Sequence, residues 1–215
     1  MRVKSSLKYS FFFLFMICCL LFSMMSCSDA AIGISNIYPQ LVYDYASKNS
    51  SPDVKLSVFA EVTSGSNRMQ SMTVKNTTNN MVWTVEPVDV ITDFSAKKTY
   101  AGYSALCMPG TLSFEKAVYQ VIYVDMAGKK TDALFSLNPA DAEDYGKTAL
   151  SSNNKQYLVV STAGKVLYSG SYKDSFSSVE GVRNAYPDAL YYREYVLNTE
   201  LNSIYLMPAV YIKSE

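Results

Sequence analysis

The chain has 215 residues, 49% of them hydrophobic and 18% charged, with 19 basic and 19 acidic side chains and no histidine. The missing imidazole excludes Ser-His-Asp and Cys-His catalysis and the commonest zinc sites. The balanced charge gives no footprint for a phosphate backbone, so nucleic acid is not an expected partner.

The first 26 residues read as a processing signal. Arg2, Lys4 and Lys8 precede an apolar run from Phe11 to Leu21, the charged-then-apolar order of a secretory signal. The run ends in Ser23-Met24-Met25-Ser26-Cys27. This stretch resembles the lipid-attachment site of bacterial lipoproteins, with small Ser26 directly before the cysteine and Met24 where that family usually carries leucine. The resemblance implies removal of residues 1–26 and acylation of Cys27, palmitate included. It further implies a tether over 27–36 and a protein held on a bacterial membrane of the cell envelope, facing the periplasm or the cell surface. Two other outcomes stand beside it. Ser28-Asp29-Ala30 has the small-residue spacing of an ordinary cleavage site, which would release a soluble exported protein. Tyr9 to Met25 approaches the ~17 to 25 residues of a membrane span, although the small residue followed by cysteine at its end favours cleavage.

Of the four cysteines, Cys18 and Cys19 lie in the apolar run and Cys27 is the acylation site. Cys107 is then alone, an intrachain disulfide is excluded, and the expectation is a buried thiol acting as a small hydrophobe.

Strand signals follow quickly. Leu41, Tyr43 and Tyr45 alternate before a Ser/Asn/Pro break at 47–52. Val54, Leu56, Val58, Ala60 and Val62 then alternate with polar residues, with Phe59 discordant, as in a strand with one buried face. Met72 and Val74 mark a third strand, and Met81, Trp83 and Val85 a fourth, closed by Pro87. Between Val88 and Ser113 the pattern is weaker, best at Tyr103, Ala105 and Cys107, with a turn at Pro109-Gly110. Ala117 to Val124 is apolar on both faces, as a strand covered on both sides would be. Asp125-Met126-Ala127-Gly128 reads as a hairpin loop leading back through Ala133, Phe135 and Leu137.

About seven short strands at these spacings point to a two-sheet sandwich over 37–137 with Trp83, Val58, Val121 and Phe135 in one core. The block Tyr119 to Thr131 resembles the last hairpin of immunoglobulin-like and fibronectin type III domains. The resemblance implies an immunoglobulin-like antiparallel β-sandwich, without the Cys-Trp-Cys set of antibody domains. Asn138, Pro139 and the acids Asp141, Glu143 and Asp144 suit a helix start within a connecting segment, 138–155, whose Ser- and Asn-rich part from Gly146 reads as a linker. Residues 156–215 follow as hairpin, helix, hairpin, a small α+β domain. Its helix starts at Ser177-Ser178-Val179-Glu180 and stops before Pro187. Val124-Asp-Met-Ala-Gly-Lys129 echoes Val160-Ser-Thr-Ala-Gly-Lys165, which convergent hairpin turns explain better than duplication.

No catalytic constellation emerges. Ser95-Ala96-Lys97-Lys98 and Ser152-Asn153-Asn154-Lys155 have the Ser-x-x-Lys spacing without its companion motifs, and both read as loops. The acids at 141–144, and Asp89 with Asp93, lack the glycine and terminal glutamate of a calcium loop, so neither metal nor cofactor is expected. Tyrosine is the distinctive residue, 18 in all. Most suit half-buried strands, but Tyr191 and Tyr192 must point to opposite faces, so at least one should meet solvent or a partner. Tyr186, Tyr191, Tyr192 and Tyr195 are therefore the candidate binding residues. The expected function is a lipid-anchored, non-enzymatic envelope protein that binds a glycan or another envelope protein. A structural subunit of an envelope assembly is the alternative, and a hydrolase with an unrecognised site a more distant one.

Overall fold

The computed structural model describes residues 32–110, 112–141, 146 and 154–212. The apolar run, Cys27, Glu143, Asp144, Ser152 and nearly all of the expected linker lie outside the described residues. The strands are β1 (Gly33–Asp44), β2 (Asp53–Ser64), β3 (Met69–Asn76), β4 (Val82–Val85), β5 (Asp89–Asp93), β6 (Lys98–Cys107), β7 (Ala117–Asp125), β8 (Lys130–Leu137), β9 (Gln156–Ser161), β10 (Val166–Gly170), β11 (Ala189–Asn198), β12 (Ser203–Leu206) and β13 (Val210–Tyr211). The fold is mainly β, in two sheets. The larger runs β10-β9-β11-β12-β1-β2-β6-β5, with β13 also on β11, and the smaller runs β4-β3-β7-β8.

The sheets bury the alternating positions that the sequence marks. Leu41, Tyr43, Leu56, Val58, Ala60 and Ala101 from the large sheet meet Met72, Val74, Tyr119, Val121, Tyr123 and Phe135 from the small one. Burial of each of the larger aliphatic or phenyl side chains among them contributes roughly 1.5 to 3 kcal/mol. Tyr123 also ties the sheets through its hydroxyl, which donates to the Ala101 carbonyl at 2.8 Å, and burial raises its pKa. Trp83 is only partly buried, because β4 is an edge strand. It packs against the core from the rim.

Several expectations need correction. Gly33–Asn36, assigned to the tether, belong to β1, where Gly33 pairs with Ser64 and Asn36 with Glu61. β7 buries one face only. Val118 is exposed and Ile122 half-buried, because among the described residues no layer covers the outer side of the small sheet. The segment 88–113 contains two strands, and β6 is a long internal one. Cys107 is exposed rather than buried. The cause is a bulge. Tyr103 pairs with Val58 but Leu106 with Leu56, so β6 carries one extra residue, and the parity that would have turned Cys107 inward is reversed. Position 102 of the same strand requires glycine, because a Cβ there would sit 2.0 Å from the Val58 carbonyl oxygen.

The two echoing hairpins adopt the same turn. Gly128 and Gly164 have φ of +77° and +75°. Asp125 Oδ1 accepts from the Lys129 N–H at 2.9 Å, and Ser161 Oγ accepts from the Lys165 N–H at 3.0 Å. Asp125 is buried and also meets Arg68. Burial opposes its ionisation, but the Lys129 N–H, the Arg68 guanidinium and the Ala127 N–H outweigh that and hold its pKa below the ordinary value.

The C-terminal strands extend the large sheet. β12 lies parallel to β1, Leu41 opposite Ser203 and Asp44 opposite Leu206, and antiparallel to β11. Residues from Ile32 onward form one compact unit. Arg193, buried on β11, reaches across β12 to Asp44 Oδ1 at 2.6 Å and donates from Nε to the Met207 carbonyl at 2.7 Å. The expected helix is present at Val179–Ala185, its N-terminus capped by Ser178 Oγ accepting from Gly181 N–H at 3.0 Å. With a 3-10 turn at Asp174–Ser177 it covers β9 and β11, forming a second core around Val159, Phe176, Val182, Ala189 and Ile212.

Candidate functional site

The tyrosines expected to form a binding face do not share one. Tyr195 is buried, its hydroxyl donating to Gln156 at 2.6 Å and 2.8 Å from the Ser169 hydroxyl. Tyr186 and Tyr192 pack on Phe176 at 6.4 and 6.1 Å between ring centroids, together with Tyr157 and Tyr168. Tyr191 is on the opposite face of β11 against Tyr211 at 5.6 Å. Lys173 closes the aromatic cluster, its ammonium 3.9 Å from the Tyr168 centroid and 3.1 Å from the Tyr186 hydroxyl. Tyr157, Tyr168, Tyr186 and Tyr192 thus help to build a satellite core, in which each ring gives area and the hydroxyls of Tyr157, Tyr168 and Tyr186 find partners.

A cleft of about 880 Å³ lies elsewhere, at one end of the sandwich, between the β1–β2 loop, the segment after β6 and Pro139. Its position follows from register. β2 and β6 are antiparallel with Lys55 opposite Cys107, so the loop entering β2 and the loop leaving β6 emerge side by side. Such a volume falls within the roughly 300 to 1,000 Å³ of small-molecule sites.

One side of the cleft is apolar and largely aromatic, with buried Tyr43, Tyr45 and Phe114, half-buried Met108, and Leu112 exposed at the mouth. Tyr43 is held by stacking on Tyr205, 5.1 Å between centroids, and its hydroxyl donates to the Pro139 carbonyl at 3.2 Å. Gly146 lets the chain pass against the same rings, since a Cβ there would be 2.7 Å from the Tyr45 hydroxyl and 3.2 Å from the Tyr205 ring. Phe114 stacks on Trp83 at 5.7 Å, and the Trp83 indole N–H donates to the Cys107 carbonyl at 2.7 Å. That contact, with the pairing of Cys107 to Lys55, anchors the end of β6 at the cleft.

The other side is polar: Lys48, Asn49, Ser50, Ser51, Asp53 and Ser113. Ser50 pins the loop, its hydroxyl donating to the Ser47 carbonyl at 3.0 Å and accepting from the Ser47 N–H at 3.1 Å. Asp53 pairs with Lys55 at 2.9 Å, and its hydrogen bond raises the Lys55 pKa. Cys107 lines the wall between them with an exposed thiol.

Asp141 takes a hydrogen bond from the Asn138 amide, and helix geometry begins at Pro139. Asp93 accepts from the Ser95 hydroxyl and from the Ser95 and Ala96 N–H groups, which lower its pKa. Both acids therefore organise local turns. Among the described residues no three His, Cys, Asp or Glu side chains come together as metal ligands, and no helix is long and apolar enough to cross a membrane.

The cleft was missed in the sequence because the two loops that form it, after β1 and after β6, are roughly 60 residues apart and each reads as an ordinary break. The available signal was that both breaks follow strand ends rich in large apolar side chains. Comparison with protein-family models, with curated proteins and with solved structures finds no match for the chain.

Proposed function

We propose that this is a lipid-anchored, non-enzymatic binding protein of the bacterial cell envelope whose ligand occupies the cleft at the end of the sandwich. The observation that carries the binding reading is the cleft itself, with rigidly held rings on one side and convergent polar groups on the other. The anchor rests on the Ser26-Cys27 junction after an apolar run. In this reading residues 37–137 are the immunoglobulin-like body, the 119–131 hairpin supporting that likeness, and 156–215 are its α+β extension. The cleft replaces Tyr186, Tyr191, Tyr192 and Tyr195 as the binding site.

Cys107 supplies the test. It is the thiol that remains once Cys27 carries lipid, and it lines the cleft. Its alkylation rate is measured on the full-length mature protein in detergent, alone and with fractionated envelope glycans or solubilised envelope proteins. A fraction that binds and slows alkylation supports the reading. Binding that leaves the rate unchanged refutes the cleft as its site. Mass spectrometry of the mature N-terminus checks the anchor, and an unlipidated N-terminus at Ala31 would refute it.

A further inference from the structure

The polar side of the cleft is chemically lopsided. Asp53 is matched by Lys55, so that pair presents no net charge. Lys48, exposed on the same rim, has no acidic partner among the described residues. Ser50 is committed to the loop, whereas the side chains of Asn49, Ser51 and Ser113 make no hydrogen bond among the described residues. Among the described residues the cleft therefore offers one uncompensated ammonium, one amide and two hydroxyls, beside the accessible apolar side chains of Met108 and Leu112.

We infer that the cleft takes an anionic oligosaccharide, with a sugar carboxylate at Lys48, ring hydroxyls at Asn49, Ser51 and Ser113, and C–H faces against Met108 and Leu112. The inference rests on the cleft-binding reading and deepens it. A sugar ring is apolar on its C–H faces and polar at its rim, which matches a cleft divided in this way. A fatty chain would strip water from the amide and hydroxyls without replacing their hydrogen bonds, at a cost in affinity. A neutral sugar would leave the Lys48 charge unused, and a charge placed to meet its opposite gives selectivity and speeds encounter.

The experiment uses full-length mature protein in detergent and two probes, a galacturonate trimer and the same trimer with its carboxyls reduced to neutral galactose. Calorimetry at low and high salt is run beside Cys107 alkylation. The acidic trimer is expected to bind about fivefold more tightly, the weight of one exposed ion pair, with the advantage shrinking in salt. Lys48→Met removes the preference and Lys48→Arg keeps it, and both variants melt as the parent does because Lys48 is exposed. Equal binding of the two trimers, binding of neither, or a preference that survives Lys48→Met overturns the inference. If neither trimer binds while another envelope fraction still slows Cys107 alkylation, the inference fails and the cleft reading stands. If the acidic trimer binds without slowing alkylation, the cleft reading fails together with the inference.

Discussion

Trp83 is where fold and cleft meet, and removing it separates the two contributions. Its ring packs on Phe114 and, at 6.4 Å, on Tyr119, and its N–H holds the Cys107 carbonyl. Emptying a fully buried aromatic site costs about 3 to 5 kcal/mol. This ring is partly solvated on an edge strand, so the transfer part of that cost is reduced, and Trp83→Ala should cost about 3 kcal/mol. Trp83→Phe keeps most of the stacking and loses a hydrogen bond whose acceptor can rehydrate. Its cost is about 1 kcal/mol from the bond, plus a few tenths for lost ring area. Urea unfolding followed by circular dichroism gives both numbers; tryptophan fluorescence cannot, because Trp83 is the only tryptophan. Since the indole fixes the end of β6, Cys107 alkylation should also change in Trp83→Phe while far-ultraviolet dichroism does not. A Trp83→Ala protein within about 0.5 kcal/mol of the parent would show that the ring is not packed as described and would remove the account of how the cleft wall is held.

Other outcomes follow from single contacts. Gly102→Ala drives a Cβ into the Val58 carbonyl and Phe59 Cα, backbone that cannot yield cheaply, and should destabilise by about 3 kcal/mol or more in the same unfolding assay. Arg193→Met removes the tie from β11 to Asp44, whose carboxylate is about one-third exposed and can rehydrate, so a cost near 2 kcal/mol is expected. Ser178→Ala strips the helix cap and should cost about 1 kcal/mol. Acid should weaken the fold. Glu61 lies below the ordinary carboxylate range because of the Lys98 ammonium and the Tyr38 hydroxyl, and Asp125 because its donors outweigh burial. Both pKa values are depressed in the fold. The stability they give is present above the unfolded value near pH 4 and is lost as pH falls through the folded values. A melting temperature flat from about pH 5 down to 2 would contradict this.

Local chemistry alone determined a good part of this protein. Period-two alternation located β2, β3, β4 and β8, because one face of each strand must be apolar to be buried, while β7 was marked by a continuous apolar run. Turn and cap residues located both Gly-containing hairpins and the Ser178-capped helix, because positive φ and unsatisfied N–H groups are met by neighbours within a few positions. What failed was whatever depends on distant partners. The bulge in β6 is visible only against β2, and it decided that Cys107 faces out. The parallel pairing of β12 with β1 joins segments some 160 residues apart and places the C-terminal strands in the large sheet, which no local pattern announces. Tyr195 looked like half-buried Tyr191 and Tyr192 until Gln156 and Ser169 were placed against it. The cleft needed the antiparallel register of β2 and β6 to bring together two loops that are each unremarkable alone. Side-chain periodicity records which face of an element is buried, but not which element buries it, and the cleft depends on the second.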